Sequence, residues 1–186
     1  TEVSPTPFAA YTRFRNIHVL CASPERFLQL KEDQILTQPI KGTAARSRNR
    51  EEDRQRATQL RASTKEQAEN VMIVDLSRHD LYRSSEVNGV SVPHLFEVQS
   101  FAKVHHLVST IIARKRADLN GMDVLRNTFP PGSMTGAPKF RTCQLIDDYE
   151  PHARGIYSGS IGYFTPSGDF DLNVVIRSMV YDADRE

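Results

Sequence analysis

No glycine or proline interrupts residues 49–83, and this stretch predicts a single long helix. Its first half is almost entirely polar, whereas residues 71–74 and Leu76 are apolar. Helices in proteins are stabilised mainly by packing an apolar face against other elements. The second half is therefore predicted to be a buried segment.

Two carboxylates lie on the side of this helix that is predicted to face inward. On a helical wheel Glu69 shares its face with Ile73 and Leu76. Glu66 lies one turn earlier. An ionised carboxylate is costly to bury without a cation beside it. An arginine would satisfy Glu69, and a hard cation such as Mg²⁺ is the alternative.

The sequence before this helix predicts a β-hairpin. Apolar residues at 27–30 and 34–37 flank a polar turn at residues 31–33. If the turn is centred near Asp33, the ladder places Glu25 opposite Lys41. A surface ion pair is an equally good interpretation of that pairing.

Lys41 is unusual because turn-forming residues surround it. Pro39 cannot donate to a sheet ladder, and Gly42 frees the backbone at the next corner. The stretch is typical of a strand end that turns sharply, which would hold Lys41 in place. The alternative is that its ammonium simply extends into water.

Two later β-type stretches carry further candidates. Residues 104–112 include His105 and His106, which must point to opposite faces of a strand and so do not form a metal pair. Residues 155–164 and 172–180 predict a hairpin around a turn at 165–169. Arg177 would lie within the apolar second strand, where it needs either a protein carboxylate or a substrate carboxylate.

A glycine- and proline-rich stretch at residues 129–139 leads into a predicted helix at 140–149. Gly132 and Gly136 beside a helix N-terminus could leave backbone N–H groups free for an anion such as a carboxylate. A simple turn is the alternative.

The composition predicts one domain with a small-molecule ligand. The 186 residues include 24 Lys and Arg against 23 Asp and Glu, so a net charge of +1 does not favour nucleic acid or membrane as a partner. No stretch approaches the roughly 18 apolar residues of a membrane span, and residues 1–5 do not resemble a signal peptide. Cys21 and Cys143 are expected to be reduced thiols. We expect an intracellular, cytoplasmic protein.

The chain resembles the chorismate-utilising enzymes throughout its length. The resemblance rests on the order and spacing of these motifs: Ser23-Pro24-Glu25-Arg26-Phe27, Pro39-Ile40-Lys41-Gly42-Thr43, Ala68-Glu69-Asn70-Val71-Met72-Ile73-Val74-Asp75-Leu76, His106-Leu107-Val108-Ser109-Thr110, Gly132-Ser133-Met134-Thr135-Gly136-Ala137-Pro138-Lys139, Gly159-Ser160-Ile161-Gly162-Tyr163 and Ile176-Arg177-Ser178. It implies an α+β fold with antiparallel sheets stacked at the centre and helices outside. It also implies an enzyme that uses Mg²⁺ and chorismate.

The resemblance also implies roles for individual residues. Family members that make anthranilate usually carry alanine where this chain has Lys41, and the lysine is typical of those that make 4-amino-4-deoxychorismate for para-aminobenzoate and folate. Lys41 would add to the ring as the 4-hydroxyl departs, with Glu25 as the acid, and ammonia from a glutamine amidotransferase subunit or domain would displace it. Glu69 would bind Mg²⁺ with Glu66 in support. The substrate-binding residues would be Thr43, His106, Ser133, Gly136, Tyr157 and Arg177.

The sequence departs from the family pattern at its ends. Residues 1–186 resemble a central segment, without the family's N-terminal half and without a C-terminal glycine-rich segment and further metal-binding glutamates. We therefore expect the segment alone to be inactive and only marginally folded. An anthranilate-forming enzyme and a non-catalytic ligand-binding or interaction module remain the alternatives.

Overall fold

The computed structural model describes residues 5–184. Its strands are β1 (Phe8–Phe14), β2 (Ile17–Ser23), β3 (Arg26–Lys31), β4 (Gln34–Gln38), β5 (Ile40–Ala45), β6 (Ser85–Ser100), β7 (Val104–Lys115), β8 (Gly162–Phe164), β9 (Phe170–Asn173) and β10 (Ser178–Asp182). Its α-helices are α1 (Arg50–Ala62), α2 (Thr64–Tyr82), α3 (Gly121–Thr128) and α4 (Lys139–Tyr149). A short 3₁₀ turn occupies Gly132–Met134.

The strands form two sheets in which the strand pairings are antiparallel. The larger sheet has the order β5-β7-β4-β3-β9-β8, with β6 added on β7. The smaller sheet has the order β1-β2-β10. This arrangement confirms the predicted α+β class with antiparallel sheets. No helix in the described range is long and apolar enough to cross a membrane.

The predicted hairpin of β3 and β4 is present, but its register differs by one residue from the predicted one. Lys31 pairs with Gln34 and Leu30 with Ile35. The register then shifts between Arg26 and Gln29. Glu25 precedes β3 and Lys41 lies in β5, so the two residues approach each other from different strand ends rather than across one regular ladder.

The prediction of a single helix at residues 49–83 is wrong because the helix is interrupted at Ser63, between α1 and α2. The backbone of Ser63 is extended (ψ 110°), and its side chain accepts the N–H of Glu66 at the start of α2. Serine is a strongly preferred N-cap because its oxygen satisfies a free helix N–H group. The break separates the polar helix α1 from the helix α2 that packs on the core, as the difference between the two halves indicated.

The predicted C-terminal strand at residues 172–180 is also wrong as a single element. β9 belongs to the larger sheet and β10 to the smaller one. In the link between them, Val174 donates its N–H to the carbonyl of Glu25, and Arg177 has a positive φ of 51°. The chain therefore changes sheets beside Glu25, which brings Arg177 toward the same place.

The core lies between α2 and the larger sheet. Its buried side chains are Phe27, Leu28, Leu30, Ile35, Val74, Leu81, Ile111, Ala113, Val124, Phe170, Leu172 and Val174. Burial of this apolar surface is the main term that stabilises the fold. Glu25 lies at the margin of this core, between β2 and β3.

Candidate functional site

Glu25 is a buried carboxyl group, with 6% of its surface exposed. Burial raises the pKa of Glu25 to about 7, because the charged form loses its hydration. A hydrogen bond from Ser133, the charge of Lys41, the backbone of Ile40 and the charge of Arg177 oppose this rise. Glu25 is therefore partly protonated near neutral pH, as a general acid must be.

Lys41 is half-buried in β5 and lies close enough for its charge to act on Glu25. Among the described residues, the ammonium of Lys41 forms no ion pair with the Glu25 carboxylate, so the influence of its charge acts without a direct salt bridge. The next residue, Gly42, has φ +87°, and a Cβ built there would lie 2.9 Å from the Oε2 atom of Glu66. Only glycine fits this corner without strain, so the local backbone fixes the position of Lys41.

His106 is a buried residue of β7 that pairs with Thr43 of the neighbouring strand β5. Its Nδ1 atom lies 2.9 Å from the hydroxyl of Thr43, and its ring meets Phe101 edge-on with centroids 5.4 Å apart. Burial lowers the pKa of His106, the charge of Arg177 lowers it further, and a hydrogen bond to the backbone of Gly42 opposes both. A neutral His106 can orient a ligand by hydrogen bonding without adding charge.

Arg177 is exposed, yet its charge acts on both Glu25 and His106. Within residues 5–184, no carboxylate forms an ion pair with it. A protein carboxylate partner, one of the two alternatives from the sequence, is therefore not found among the described residues. An exposed guanidinium at a left-handed backbone position beside a buried acid is suited to an external carboxylate.

The segment after α3 supplies Ser133, which lines the same cavity as Glu25 and lowers the pKa of its carboxyl by hydrogen bonding. The prediction that Gly136 offers a free N–H is wrong, because that N–H donates to the carbonyl of Gly132 at 3.2 Å. The residue has φ +123° and serves to turn the chain toward α4. A tight turn uses the same polar groups that an anion site would need.

The structure does not bring Tyr157 into the cavity of Glu25. The Tyr157 ring is half-exposed. The Cζ atom of the Arg154 guanidinium lies over this ring, 5.9 Å from its centroid. Tyr157 lines a neighbouring cavity together with Cys143 and Ile146. The Glu25 cavity is lined by Ser133 and Asp80, by apolar residues, and by the polar side chains of Arg26, Thr37, Ser77 and Thr128.

The prediction that Glu69 faces the core is wrong. Its side chain is 48% exposed and its carboxylate lies 3.9 Å from the ammonium of Lys65, one turn away on the helix. The buried stripe of α2 passes through Asn70, Ile73 and Val74 instead, so Glu69 lies at its edge.

Glu66 is half-buried and lies against Gly42. In the described residues no three His, Cys, Asp or Glu side chains are grouped as metal ligands. Proteins commonly hold Mg²⁺ through one or two carboxylates, with water or substrate completing the coordination. Glu66 and Glu69, one turn apart on α2, fit that donor set in part.

An ion pair that the sequence did not indicate lies in the same region. The ammonium of Lys139 lies 2.5 Å from the carboxylate of Asp80 and also donates to the carbonyls of Thr128 and Pro130 at 2.8 Å. Burial raises the pKa of Asp80, and the bond from Lys139 opposes that rise. In the sequence, only the position of Lys139 after Pro138 and that of Asp80 on the buried side of α2 could have suggested charged residues near the core. That the two residues pair with each other is visible only in the tertiary structure.

The site thus combines a buried acid, a lysine and an arginine without a carboxylate partner among the described residues, which suits a ligand that bears a carboxylate. Residues 1–186 match the family model for chorismate binding enzymes, and the chain belongs to this family. Its fold is that of anthranilate synthase component I from Streptococcus pneumoniae, with a TM-score of 0.86, 37% identity, and coverage of 96% of this chain and 39% of that one.

Curated relatives are named aminodeoxychorismate synthase. The chloroplastic protein from Arabidopsis thaliana is 50% identical over 98% of this chain and 20% of its own length. Component 1 from Klebsiella aerogenes is 48% identical over 93% of this chain and 38% of its own length. The chain thus spans between about a fifth and two fifths of the length of these relatives.

Proposed function

We propose that the chain is the central part of an enzyme that aminates chorismate to 4-amino-4-deoxychorismate, in the biosynthesis of para-aminobenzoate and folate. The observation that carries the proposal is the position of Lys41 beside the buried Glu25. Relatives near 50% identity with the name aminodeoxychorismate synthase support it.

In this reaction Lys41 is the nucleophile and Glu25 the acid. A lysine attacks only as the neutral amine, so its ammonium must first lose a proton. Glu25, with a pKa of about 7, can accept that proton and give it to the departing 4-hydroxyl. A C–N bond forms from the Nζ atom of Lys41, the C–O bond breaks and water leaves. Ammonia then displaces the lysine and restores the amine.

The surrounding residues hold the substrate during these steps. Arg177 binds a ring carboxylate through its guanidinium, because the two groups match in a two-point hydrogen bond. His106 and Thr43 already bond to each other and together orient a polar group of the ring. Ser133 keeps the Glu25 carboxyl directed into the site. Gly136 and Tyr157 shape the neighbouring segments rather than contact Glu25.

We propose Mg²⁺ as the cofactor, held by Glu69 and Glu66. When bound, it would neutralise a substrate carboxylate. We also propose that a glutamine amidotransferase subunit or domain supplies ammonia, and the name "component 1" of several relatives supports a partner component. A cytoplasmic location is our proposal for this chain, whose relatives include both bacterial and chloroplastic proteins.

The test uses the natural full-length protein with chorismate, Mg²⁺ and ammonium, and identifies the product by liquid chromatography and mass spectrometry. We expect 4-amino-4-deoxychorismate, and a large loss in Lys41→Ala. Lys103→Ala, which removes an exposed lysine, is the matched control and should keep its activity.

Other products would replace the proposal with one of its alternatives. Anthranilate as the product would assign the chain to the branch of its 37% identical structural neighbour. Binding of another ligand in calorimetry, with no turnover of chorismate, would indicate a non-catalytic module.

A further inference from the structure

Two segments from the C-terminal half of the chain hold Glu25. Ser133 lines the same cavity as Glu25, and hydrogen bonding from its side chain lowers the pKa of the Glu25 carboxyl. The carbonyl of Glu25 accepts the N–H of Val174 at 3.1 Å. The direction of the acid therefore depends on how these two segments are fixed to each other.

The second segment is tied to the loop that follows α4. Ser158 donates its N–H to the carbonyl of Val175 at 3.1 Å, and Val175 donates its N–H to the carbonyl of Gly159 at 2.9 Å. Ser158 is buried and has a positive φ of 68°, a conformation that a residue other than glycine keeps only where its surroundings impose it.

One side chain joins that loop to the segment of Ser133. The Nη1 atom of Arg154 donates to the carbonyl of Met134 at 2.8 Å and to the hydroxyl of Ser158 at 3.0 Å. On the other edge of the guanidinium, the Nε and Nη2 atoms donate to the carboxylate of Glu150. The same group lies over the ring of Tyr157. Only 23% of the Arg154 side chain is exposed.

We infer that Arg154 is a positioning residue for the amination: by joining the Ser133 segment to the Ser158 loop, it keeps the Ser133 hydroxyl on the Glu25 carboxyl. The inference rests on the proposed function, in which Glu25 is the acid. Arginine suits this task because its planar fork can serve three acceptors at fixed angles, which a single ammonium cannot do.

Several charges face Glu25 and must stay constant in a test. Lys41 acts on it from β5, and Arg177 acts from the link before β10. Asp80 of α2 lines the same cavity and is paired with Lys139 at the start of α4. Substitutions at Arg154 and Ser133 leave these four groups in place.

The test titrates the Glu25 carboxyl in the full-length protein by infrared difference spectroscopy, with Glu25→Gln as the reference that identifies the band. Ser133 lowers the pKa of Glu25, so its loss raises the titration midpoint. We expect Ser133→Ala and Arg154→Met each to raise the midpoint by about one pH unit, as for one lost hydrogen bond to a carboxylate. The double variant should show no further rise, because both changes remove the same bond.

Two further variants complete the set. Arg126→Met removes an exposed arginine of α3 and should leave the midpoint unchanged. Arg154→Lys keeps the charge and should give an intermediate midpoint, and it carries the test if Arg154→Met does not fold. An unchanged midpoint in the Arg154 variants, or shifts that add in the double variant, would refute the inference.

The product assay separates this inference from the proposed function. Infrared titration needs no turnover, so coincident shifts without 4-amino-4-deoxychorismate would reject the amination but keep Arg154 as the residue that positions Ser133. Formation of 4-amino-4-deoxychorismate with unchanged titration midpoints would support the amination and reject Arg154 as the residue that positions Ser133. With both intact, the alkaline limb of the kcat profile should move by the same amount as the midpoint.

Discussion

Glu25→Gln should change how the stability of the protein depends on pH. Glutamine has nearly the shape of the protonated acid and does not titrate. The pKa of Glu25 rises from 4.5 to about 7 on folding, because burial disfavours the charged carboxylate. The folded protein therefore holds a proton on Glu25 over a pH range in which the unfolded chain has lost it.

The size and sign follow from this pKa difference. Each pH unit corresponds to about 1.4 kcal/mol, so a rise from 4.5 to about 7 gives a contribution of roughly 3 kcal/mol. The contribution is complete below pH 4.5, the unfolded pKa, and is lost as the pH rises through about 7, the folded pKa. Because Glu25 is 6% exposed, solvent screening reduces it little.

The assay is denaturant unfolding of the full-length protein and of Glu25→Gln at several values between pH 5 and pH 8.5. We expect the free energy of unfolding of the variant, relative to that of wild type, to increase as the pH rises, by up to about 3 kcal/mol. Glu32→Gln, which makes the same change in the exposed turn between β3 and β4, should match wild type. A difference that stays constant with pH, or narrows at high pH, would refute the assignment of Glu25 as a buried acid with a raised pKa.

Three more substitutions test neighbouring parts of the site. Gly42→Ala should cost about 2 kcal/mol in denaturant unfolding, because φ is +87° and the new Cβ would meet Glu66; no loss would show that the corner can relax. Glu69→Gln should weaken Mg²⁺-dependent chorismate binding in calorimetry without lowering the melting temperature, and a loss of stability with unchanged metal dependence would contradict the metal role. Lys139→Met should cost about 3 kcal/mol or more, since Asp80 would remain buried without its cation, and added Asp80→Asn should recover part of that loss.

Sequence patterns predicted the parts of the fold that depend on local order. The turn after Lys31 and the apolar residues beside it predicted the β3–β4 hairpin, and its approximate register predicted that Lys41 lies near Glu25, on which its charge acts. Ser63 broke the predicted helix because a serine can either continue a helix or cap the next one, and tertiary packing decides which.

The remaining errors arise where two elements meet. The inward direction of Glu69 depends on the rotation of α2 against the sheet, which a helical wheel does not fix. The pair of Asp80 and Lys139 and the bonds of Arg154 join segments far apart in the sequence. The change of sheets before Arg177 follows from bonds to Glu25 and Ala22, so apolar alternation alone predicted a continuous strand.

The covalent role of Lys41 is tested most directly by incubating the full-length protein with chorismate and Mg²⁺ in the absence of ammonia. We expect a mass increase equal to chorismate minus one water on the intact protein, and peptide mapping should place it on Lys41. Lys41→Ala should lose the adduct and keep some direct amination by ammonium. An adduct that persists in Lys41→Ala, or that maps to Lys139 despite its buried pair with Asp80, would contradict Lys41 as the nucleophile.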